Sequence, residues 1–456
     1  MERKIKSPGK KHYMANVRGL RLNLVFGQEI ITRSGCSEKY FTDIWPINIG
    51  TPTLTSDLLT ARNIVNSGGM ISADMIDISI VDCNNIPQLA SQWTQLELYV
   101  KPAYFLSWGW METWLRLLPD TITPKVLIAN YKGETVGLAI LIQNTLSRKG
   151  LVVSSKALVV HETGDPDYDL LTIEYNDFLV RQQYRTEVTT ACLKYLQQQF
   201  DGWDEILLRA ADSNSPLTDA GLLRHCGLNL KINREQPSWY VDLQELRGTG
   251  KAYLDSLSSN TRYQIRRAVR ECEKYGVLEF STAKSSEEAL DYLSRLSEWH
   301  SKYWLSKGHN GCFSNPFLLK FHQSLIRDRF NHGEIQLVRI RLGDIELGYL
   351  YNLIKDDCVY FYQSGFNYEA GKKLKPGLIA HYKAIEYNFE QGMSVYNFLA
   401  SDDRYKRSLS TNKHRLLWVS LQKNKLRFRL ENTLDDFLVN CKDIVRRGRR
   451  LYRRKG

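Results

Sequence analysis

The sequence predicts an α+β protein built from two related domains in tandem, each a mixed sheet flanked by helices. The main observation is an internal repeat. Residues 126–142 (VLIANYKGETVGLAILI) resemble residues 337–354 (LVRIRLGDIELGYLYNLI), and both read as strand, tight turn, strand. Gly137 and Gly348 stand at matching places in the second strand of each copy. Further along, each copy continues as helix, glycine, short strand and aspartate.

The length of 456 residues and the 43% hydrophobic content allow two or three domains with real cores. Compact patterning begins at Ile76, so Met70 or Met75 is a candidate start of the folded protein. Pro237 to Gly250 connects the two copies. The predicted segments are a partly disordered N-terminal extension (1–75), a first domain without cofactor (76–245), a second, catalytic domain (250–430) and a basic C-terminal helix or tail (431–456).

The net charge and the cysteine content limit the classes of partner and the compartment that we expect for this protein. The net charge is +12, and residues 442–456 hold eight basic residues against one acid. This tail could contact an anionic membrane surface, a polysaccharide or nucleic acid, or it could be a solubilising helix end. The eight cysteines are scattered without metal-ligand spacing, and no apolar run reaches transmembrane length. We expect a reduced, cytoplasmic protein without disulfides, metal or secretory signal, peripheral at the inner membrane face if the tail binds there.

The first copy begins with a half-buried strand at Ile76 to Ile80, where isoleucines alternate. Residues 103–118 predict one helix with an aromatic stripe, which is either core or a stacking surface. The stretch His161 to Asp167 invites a metal interpretation, but adjacent residues rarely converge on one ion and Gly-Asp-Pro favours a turn. The remaining predicted elements are strands at 126–130, 136–143 and 205–210 and a helix at 187–200.

The second copy begins with a basic helix over 257–275. Arg262, Arg266 and Arg270 form an i, i+4 row that could grip phosphates or could be a solvated face. A helix over 287–307 places His300 and Trp304 one turn apart, and a further helix spans 317–330.

A basic turn then opens a helix with an apolar face, which is followed by a short strand at 395–399. Because the first N–H groups of a helix lack internal partners, lysines and a glycine at this point predict an anion site. The alternative is an ordinary loop with solvated lysines. The strand ends in the polar cluster Ser401 to Lys406, where α/β folds often place their chemistry.

Four signals in this order carry a family resemblance: Ser258-x-x-Thr261-Arg262-x-x-x-Arg266-Arg267, His300-x-x-x-Trp304-x-x-x-Gly308, Pro376-Gly377, and Ser401-Asp402-Asp403-Arg404-Tyr405-Lys406. Over about residues 80–430 the chain resembles the GNAT-type acetyltransferase family that includes CelD-like proteins of cellulose and exopolysaccharide biosynthesis. That family is related in fold to FemAB-type transferases, which also pair two GNAT units. The resemblance implies tandem duplicated GNAT domains.

The resemblance also implies a reaction, which is acyl transfer from acetyl-CoA or another acyl-CoA to an amine of an amino sugar or polysaccharide precursor. No metal is expected. The implied CoA-binding residues are Lys372, Lys373, Lys375, Pro376, Gly377 and Leu378. The implied substrate-binding residues are Arg262, Arg266, Trp304 and Lys406. The chain departs from the family where Lys372-x-x-Lys375-x-Gly377 lacks the first glycine of the phosphate loop and where Ser401 replaces a glycine.

Acyl transfer needs a neutral amine and a protonated thiolate leaving group. His300 is a natural base because an unperturbed histidine has a pKa of about 6.5, and Asp402 could serve if burial raises its pKa. Tyr405 or Tyr362 could protonate the thiolate. Two other functions stay open. One is FemAB-like aminoacyl transfer from charged tRNA, with the arginine row and the tail on RNA. The other is a non-catalytic GNAT-fold component of a polysaccharide machine.

Overall fold

The computed structural model describes residues 13–17, 20–24, 72–147, 154–371 and 373–433. The chain forms two units, residues 1–67 and 68–456. In the first unit, strands β1 (Tyr13–Val17) and β2 (Leu20–Leu24) pair as an antiparallel hairpin. Most of the predicted extension and the basic tail from residue 434 onward lie outside the described residues.

The first half of the second unit alternates strands and helices. Its elements are β3 (Asp77–Asp82), α1 (Leu89–Val100), α2 (Trp108–Leu117), β4 (Lys125–Tyr131), β5 (Glu134–Ser147), β6 (Ser154–Val160), β7 (Leu179–Val180), α3 (Arg185–Gln199), β8 (Glu205–Asp212), α4 (Ala220–His225) and β9 (Leu228–Asp242). The prediction of one helix over 103–118 was wrong at its start. The Ser107 hydroxyl accepts from the Trp110 N–H at 3.3 Å and caps α2 there, while Tyr104–Leu106 form a separate 3₁₀ turn.

The second half repeats this order. Its elements are α5 (Leu243–Thr249), α6 (Tyr253–Ser256), α7 (Ser259–Cys272), β10 (Leu278–Thr282), α8 (Ser286–Leu305), α9 (Pro316–Arg329), β11 (Ile335–Leu342), β12 (Ile345–Lys355), β13 (Cys358–Phe366), α10 (Pro376–Glu390), β14 (Val395–Ala400), α11 (Arg404–Leu409) and β15 (Asn412–Lys423). The hairpin β4–β5 therefore corresponds to β11–β12, and α3 to α10. The fold class predicted from the repeat is confirmed.

The repeat extends to single residues. The register of β4–β5 shifts after Ala129, the residue opposite Gly137, and that of β11–β12 shifts after Ile340, the residue opposite Gly348. A side chain at Gly348 would lie 2.5 Å from the Gly365 carbonyl oxygen, so this position requires glycine. Each copy thus carries the same bulge beside the same glycine.

All strands of the second unit join one 13-stranded sheet. The order is β10-β11-β12-β13-β14-β9-β15-β8-β6-β5-β4-β3, with β7 beside β5. The two central strands are exchanged: β9 from the first half pairs with β14 of the second, and β15 from the second half pairs with β8 of the first. They also pair with each other over Leu228–Tyr240 and Asn412–Lys423. The predicted domain limits, 76–245 and 250–430, stay a prediction.

Side chains alternate between the two faces of the sheet. Val126 and Ile128 of β4 enter a core shared by both halves, where α2 packs on α9 and the Trp110 and Phe321 rings lie 4.7 Å apart. The predicted aromatic stripe is therefore core. Leu127 instead enters a separate core under α3, and the second half has its own core under α7 and α10.

Matching parallel pairs end early in both halves. β6 and β8 pair only over Ala157–Val159, and β13 and β14 only over Cys358–Tyr360. Beyond these residues the strands run on without pairing to each other. Ala210 on β8 and Leu399 on β14 then both adopt positive φ, at 48° and 63°. Such backbone strain is typical of functional sites, and it directs attention to these two strand ends.

Candidate active site

The predicted phosphate turn lies at the start of α10. Lys375 caps the helix in the left-handed region at φ 46°, and Pro376 is the first helical residue. The carbonyl oxygen of Lys375 accepts from the N–H groups of Leu378 and Ile379 at 3.0 and 3.2 Å. Among the described residues, the N–H of Gly377 therefore remains as the backbone donor of this first turn. Lys372 lies outside the described residues.

Gly377 is needed for packing as well as for an anion. A Cβ at this position would lie 3.2 Å from the ring of Phe366, closer than ordinary contact. A substitution at Gly377 would therefore disturb the core and the turn together. Lys373 and Lys375 are exposed, which makes them the cleaner probes of anion binding.

Helix α7 lies beside this turn, and the Nζ of Lys375 contacts Oε1 of Gln264. Of the predicted arginines, Arg262 donates to the carbonyl oxygens of Asp255 and Leu257 at 3.2 and 3.0 Å, which ties it to the end of α6. Arg266 is exposed. The start of α10 and this face of α7 thus form one cationic surface.

The predicted Lys406 lies on α11, and its buried side chain reaches the end of β14. Its Nζ donates to the Leu399 carbonyl oxygen at 3.3 Å. Burial lowers the pKa of Lys406 to about 8, although Glu174 and Asp403 oppose this shift. Glu174 comes from the first half, and its Oε2 accepts from the N–H of Ala400 at 2.7 Å. Burial raises the pKa of Glu174 to about 7.

Sequence analysis missed Glu174 and the network next to it. The hydroxyl of Tyr175 donates to Ser238 Oγ at 2.8 Å and accepts from Asn397 Nδ2 at 2.7 Å, while Ser238 donates to Asn397 Oδ1 at 3.1 Å. These three residues come from three different segments. A sequence signal for this cluster was absent because none of its members lies in a motif.

Two other predicted residues lie near Lys406 but face solvent. Asp402 is about half exposed, and its Oδ1 accepts from Arg407 at 2.5 Å. Tyr405 is 39% exposed and stacks on the ring of His381, with centroids 5.4 Å apart. The structure therefore brings Asp402, Tyr405 and Lys406 to one end of β14.

The other predicted catalytic residues lie by the shared core. His300 is buried, its Nε2 accepts from Trp304 Nε1 at 2.9 Å, and burial lowers its pKa to about 4. Tyr362 donates to the Leu171 carbonyl oxygen at 2.6 Å. The structure thus pairs His300 with Trp304 as packed aromatic rings. Their catalytic roles stay predictions.

Comparison with known proteins finds a family match within the second half. Residues 259–407 match the acetyltransferase (GNAT) domain family. This segment runs from α7 through Lys406, so it contains the cationic surface and the end of β14. It supports an acyltransferase. No curated protein matches the chain.

The chain is also similar to several solved structures. The chain resembles the crystal structure of FemX with a TM-score of 0.51 and 13% identity, covering 75% of this chain and 98% of that chain. Weaker likenesses are a tandem GNAT protein from the clavulanic acid biosynthesis pathway (TM-score 0.41, 13% identity, 76% and 99% coverage) and L-PGS from Bacillus licheniformis (0.40, 14%, 63% and 82%). In the described part of the chain, no helix is long and apolar enough to cross a membrane.

The first half carries a polar cluster of its own after β6, the strand that corresponds to β13 of the second half. His161, Glu162 and Asp169 follow β6, and Arg209 on β8 lies 3.3 Å from Glu162 and 3.4 Å from Asp169. The three residues from this loop are buried. No group of three such ligands could hold a metal among the described residues. The predicted turn at Gly164 is present, with φ 76°.

Proposed function

We propose that this protein is an acyl-CoA-dependent N-acyltransferase acting on an amino sugar or polysaccharide precursor of envelope or exopolysaccharide biosynthesis, as in CelD-like proteins. The observation that carries the proposal is Lys406, a buried lysine of lowered pKa at the end of β14 inside the GNAT domain. An amine acceptor must lose a proton to react, and a neutral lysine can take it.

The start of α10 fits the phosphates of acyl-CoA. The N–H of Gly377 and the exposed ammonium groups of Lys373 and Lys375 would face them, and the dipole of a fifteen-residue helix favours negative charge there. Pro376 provides no donor. Binding would therefore depend on lysine charge more than on backbone hydrogen bonds.

The chemistry at Lys406 balances without a metal or a covalent enzyme intermediate. The neutral Nζ accepts a proton from the acceptor amine as its nitrogen bonds to the acyl carbon. The carbon–sulfur bond then breaks, and the ammonium of Lys406 returns the proton to the thiolate. Glu174 stabilises the ammonium in between, because a carboxylate favours the charged form of a lysine. Asp402 and His300 remain the rival bases, and Tyr405 and Tyr362 the rival acids.

Release of CoA thiol from acetyl-CoA, measured with a panel of amino sugars and their nucleotide conjugates, tests the proposal. We expect amine-dependent release that is lost in Lys406→Met and kept in Lys320→Met, a matched change at an exposed lysine of α9. Thiol release that does not depend on any amine, or none with any acceptor, would contradict it.

A second candidate function is aminoacyl transfer from charged tRNA. The fold similarity to FemX and the exposed Arg266 on α7 favour it. A shift of charged tRNA on the protein that weakens steeply with salt, together with no thiol release, would select this function. The C-terminal tail would then contact RNA rather than an anionic membrane. If neither activity is detected, the remaining function is that of a non-catalytic GNAT-fold component of a polysaccharide machine.

A further inference from the structure

The last described element of the chain is a helix over residues 426–433, which follows β15. One of its faces is fixed to the body of the protein, because Phe428 and Glu431 are buried there. The opposite face carries Leu426 and Leu430, which are 74% and 62% exposed. These two leucines stand one helical turn apart, so they form a single apolar surface that points away from the core. We call this surface the leucine face.

Charged residues hold the helix in this orientation. Lys425 and Arg427 both pair with Asp204, the residue just before β8. Arg427 also donates to the Ser154 carbonyl oxygen at 3.2 Å, at the start of β6. Two cations thus share one carboxylate, and the exposed Arg429 flanks the leucine face on the solvent side. The leucine face is therefore held outward and is bordered by positive charge.

The amino-acid sequence beyond the described residues continues both features. Apolar residues recur after Leu430 in the same three- and four-residue steps, at Leu434, Phe437, Leu438, Cys441, Ile444 and Val445. Residues 442–456 then hold eight basic residues against one acid. An apolar pattern of helical spacing beside a strongly basic run is typical of segments that lie on the surface of an anionic membrane.

The leucine face distinguishes among the partners that the basic tail alone leaves open. Nucleic acid is bound by basic side chains and by aromatic rings that stack on bases, and an exposed pair of leucines adds to neither. A second copy of this chain could cover the leucines, but it would bring two basic tails together, and like charges repel. An anionic lipid bilayer complements both features, because its acyl region accepts apolar side chains and its headgroups attract basic ones.

We propose that the leucine face docks this protein on the surface of an anionic lipid bilayer, with the basic tail adding electrostatic attraction. Leu426 and Leu430 enter the boundary between headgroups and acyl chains. The two contributions act together, because a small apolar contact or a basic patch alone gives only weak, reversible binding. Strand β15 has 12 residues and separates α11 from this helix by about 36 Å, at about 3.3 Å per residue. Membrane contact therefore lies at the other end of β15 from Lys406.

Co-sedimentation of the full chain with lipid vesicles tests the proposal. The wild type should bind vesicles of phosphatidylcholine mixed with phosphatidylglycerol, and it should bind phosphatidylcholine alone at least about tenfold more weakly. High salt should weaken binding to the mixed vesicles.

A double variant, Leu426→Asp with Leu430→Asp, should bind the mixed vesicles at least about tenfold more weakly, because it replaces both apolar contacts with charges that the membrane repels. The matched control is Leu98→Asp with Leu305→Asp. These leucines are 75% and 60% exposed on α1 and α8, and the control changes the net charge by the same amount. It should bind within about twofold of the wild type.

Equal binding of the wild type to both kinds of vesicle, unchanged binding in the leucine variant, or an equal loss in the control would overturn the proposal. A dimer in light scattering that the leucine variant abolishes, without vesicle binding, would assign the leucine face to a second copy of the chain. RNA binding without vesicle binding would assign the tail to nucleic acid. The wild-type vesicle series needs no variant, so it decides even where a variant does not fold. Vesicle binding requires no CoA, so its outcome is independent of the proposed function.

Discussion

Replacing Lys406 by methionine is the sharpest test of the proton acceptor. Burial lowers the pKa of this lysine from 10.5 to about 8. At pH 7 about one-tenth of the side chains would then be neutral, against roughly 0.03% for an unperturbed lysine. The neutral fraction of Lys406 at pH 7 is thus about 300-fold larger than that of a lysine in water. Methionine has a similar length and apolar stem but cannot take a proton, so it removes this function with little change in packing.

The assay is the pH dependence of kcat/KM for thiol release. For the wild type we expect a rise with unit slope that levels off above pH 8, because neutral Lys406 is the active form. Lys406→Met should lose about 10²–10⁴-fold in rate, the usual range for a general base, and should lose the titration too. His300→Ala should leave the inflection in place, since burial already holds the pKa of His300 at about 4.

Glu174→Gln tests the direction in which Glu174 shifts the pKa of Lys406. The carboxylate of Glu174 raises the pKa of Lys406, so its removal should move the inflection to lower pH while Lys320→Met leaves it unchanged. A wild-type profile that is flat between pH 7 and 9 would refute the reasoning. So would full activity in Lys406→Met, or a larger loss in Asp402→Asn than in Lys406→Met.

Three further outcomes are expected. Lys375→Glu should weaken acyl-CoA binding roughly tenfold by calorimetry, while Lys320→Glu should not; equal affinities would place the phosphates elsewhere. Gly365→Ala should lower stability by about 1–3 kcal/mol in urea unfolding, because its Cβ would lie 2.2 Å from the Leu296 carbonyl oxygen; an unchanged midpoint would contradict that contact. Burial raises the pKa of Glu162 from 4.5 to about 8, so its contribution to stability is complete below pH 4.5 and is lost as pH rises through 8. The resulting loss in the free energy of unfolding is at most about 5 kcal/mol. Glu162→Gln should make this free energy less dependent on pH, and parallel plots of unfolding free energy against pH for the two proteins would contradict the expectation.

The repeated hairpin and most helices could be predicted because their signals are local. Gly137 and Gly348 mark the same bulge, and the apolar spacing of α7, α8 and α9 follows the helical period. The exchange of β9 and β15 could not be predicted in this way. Their partners lie far away in the chain, and an alternating strand does not specify which edge it joins.

The site divides in the same manner. Lys406 was predicted as a substrate-binding residue because it belongs to a motif, but its environment includes Glu174, which opposes the lowering of its pKa and binds the Ala400 N–H from 226 positions away. No periodicity reports such a contact. His300 shows the reverse case: the predicted spacing to Trp304 is present, but spacing alone does not reveal that the Trp304 ring donates to its Nε2.

Because the central strands are exchanged, each half covers a sheet edge of the other half. Without β9, strand β14 would present a row of open backbone groups, and without β15 so would β8. Either half made alone would therefore tend to stick to itself rather than fold cleanly. Conversely, a single protease nick between residues 243 and 258 should not release the halves, because the β9–β15 ladder clasps them together. Chain continuity and structural unity are thus separate properties here, and a gene split at that point could still yield one working protein.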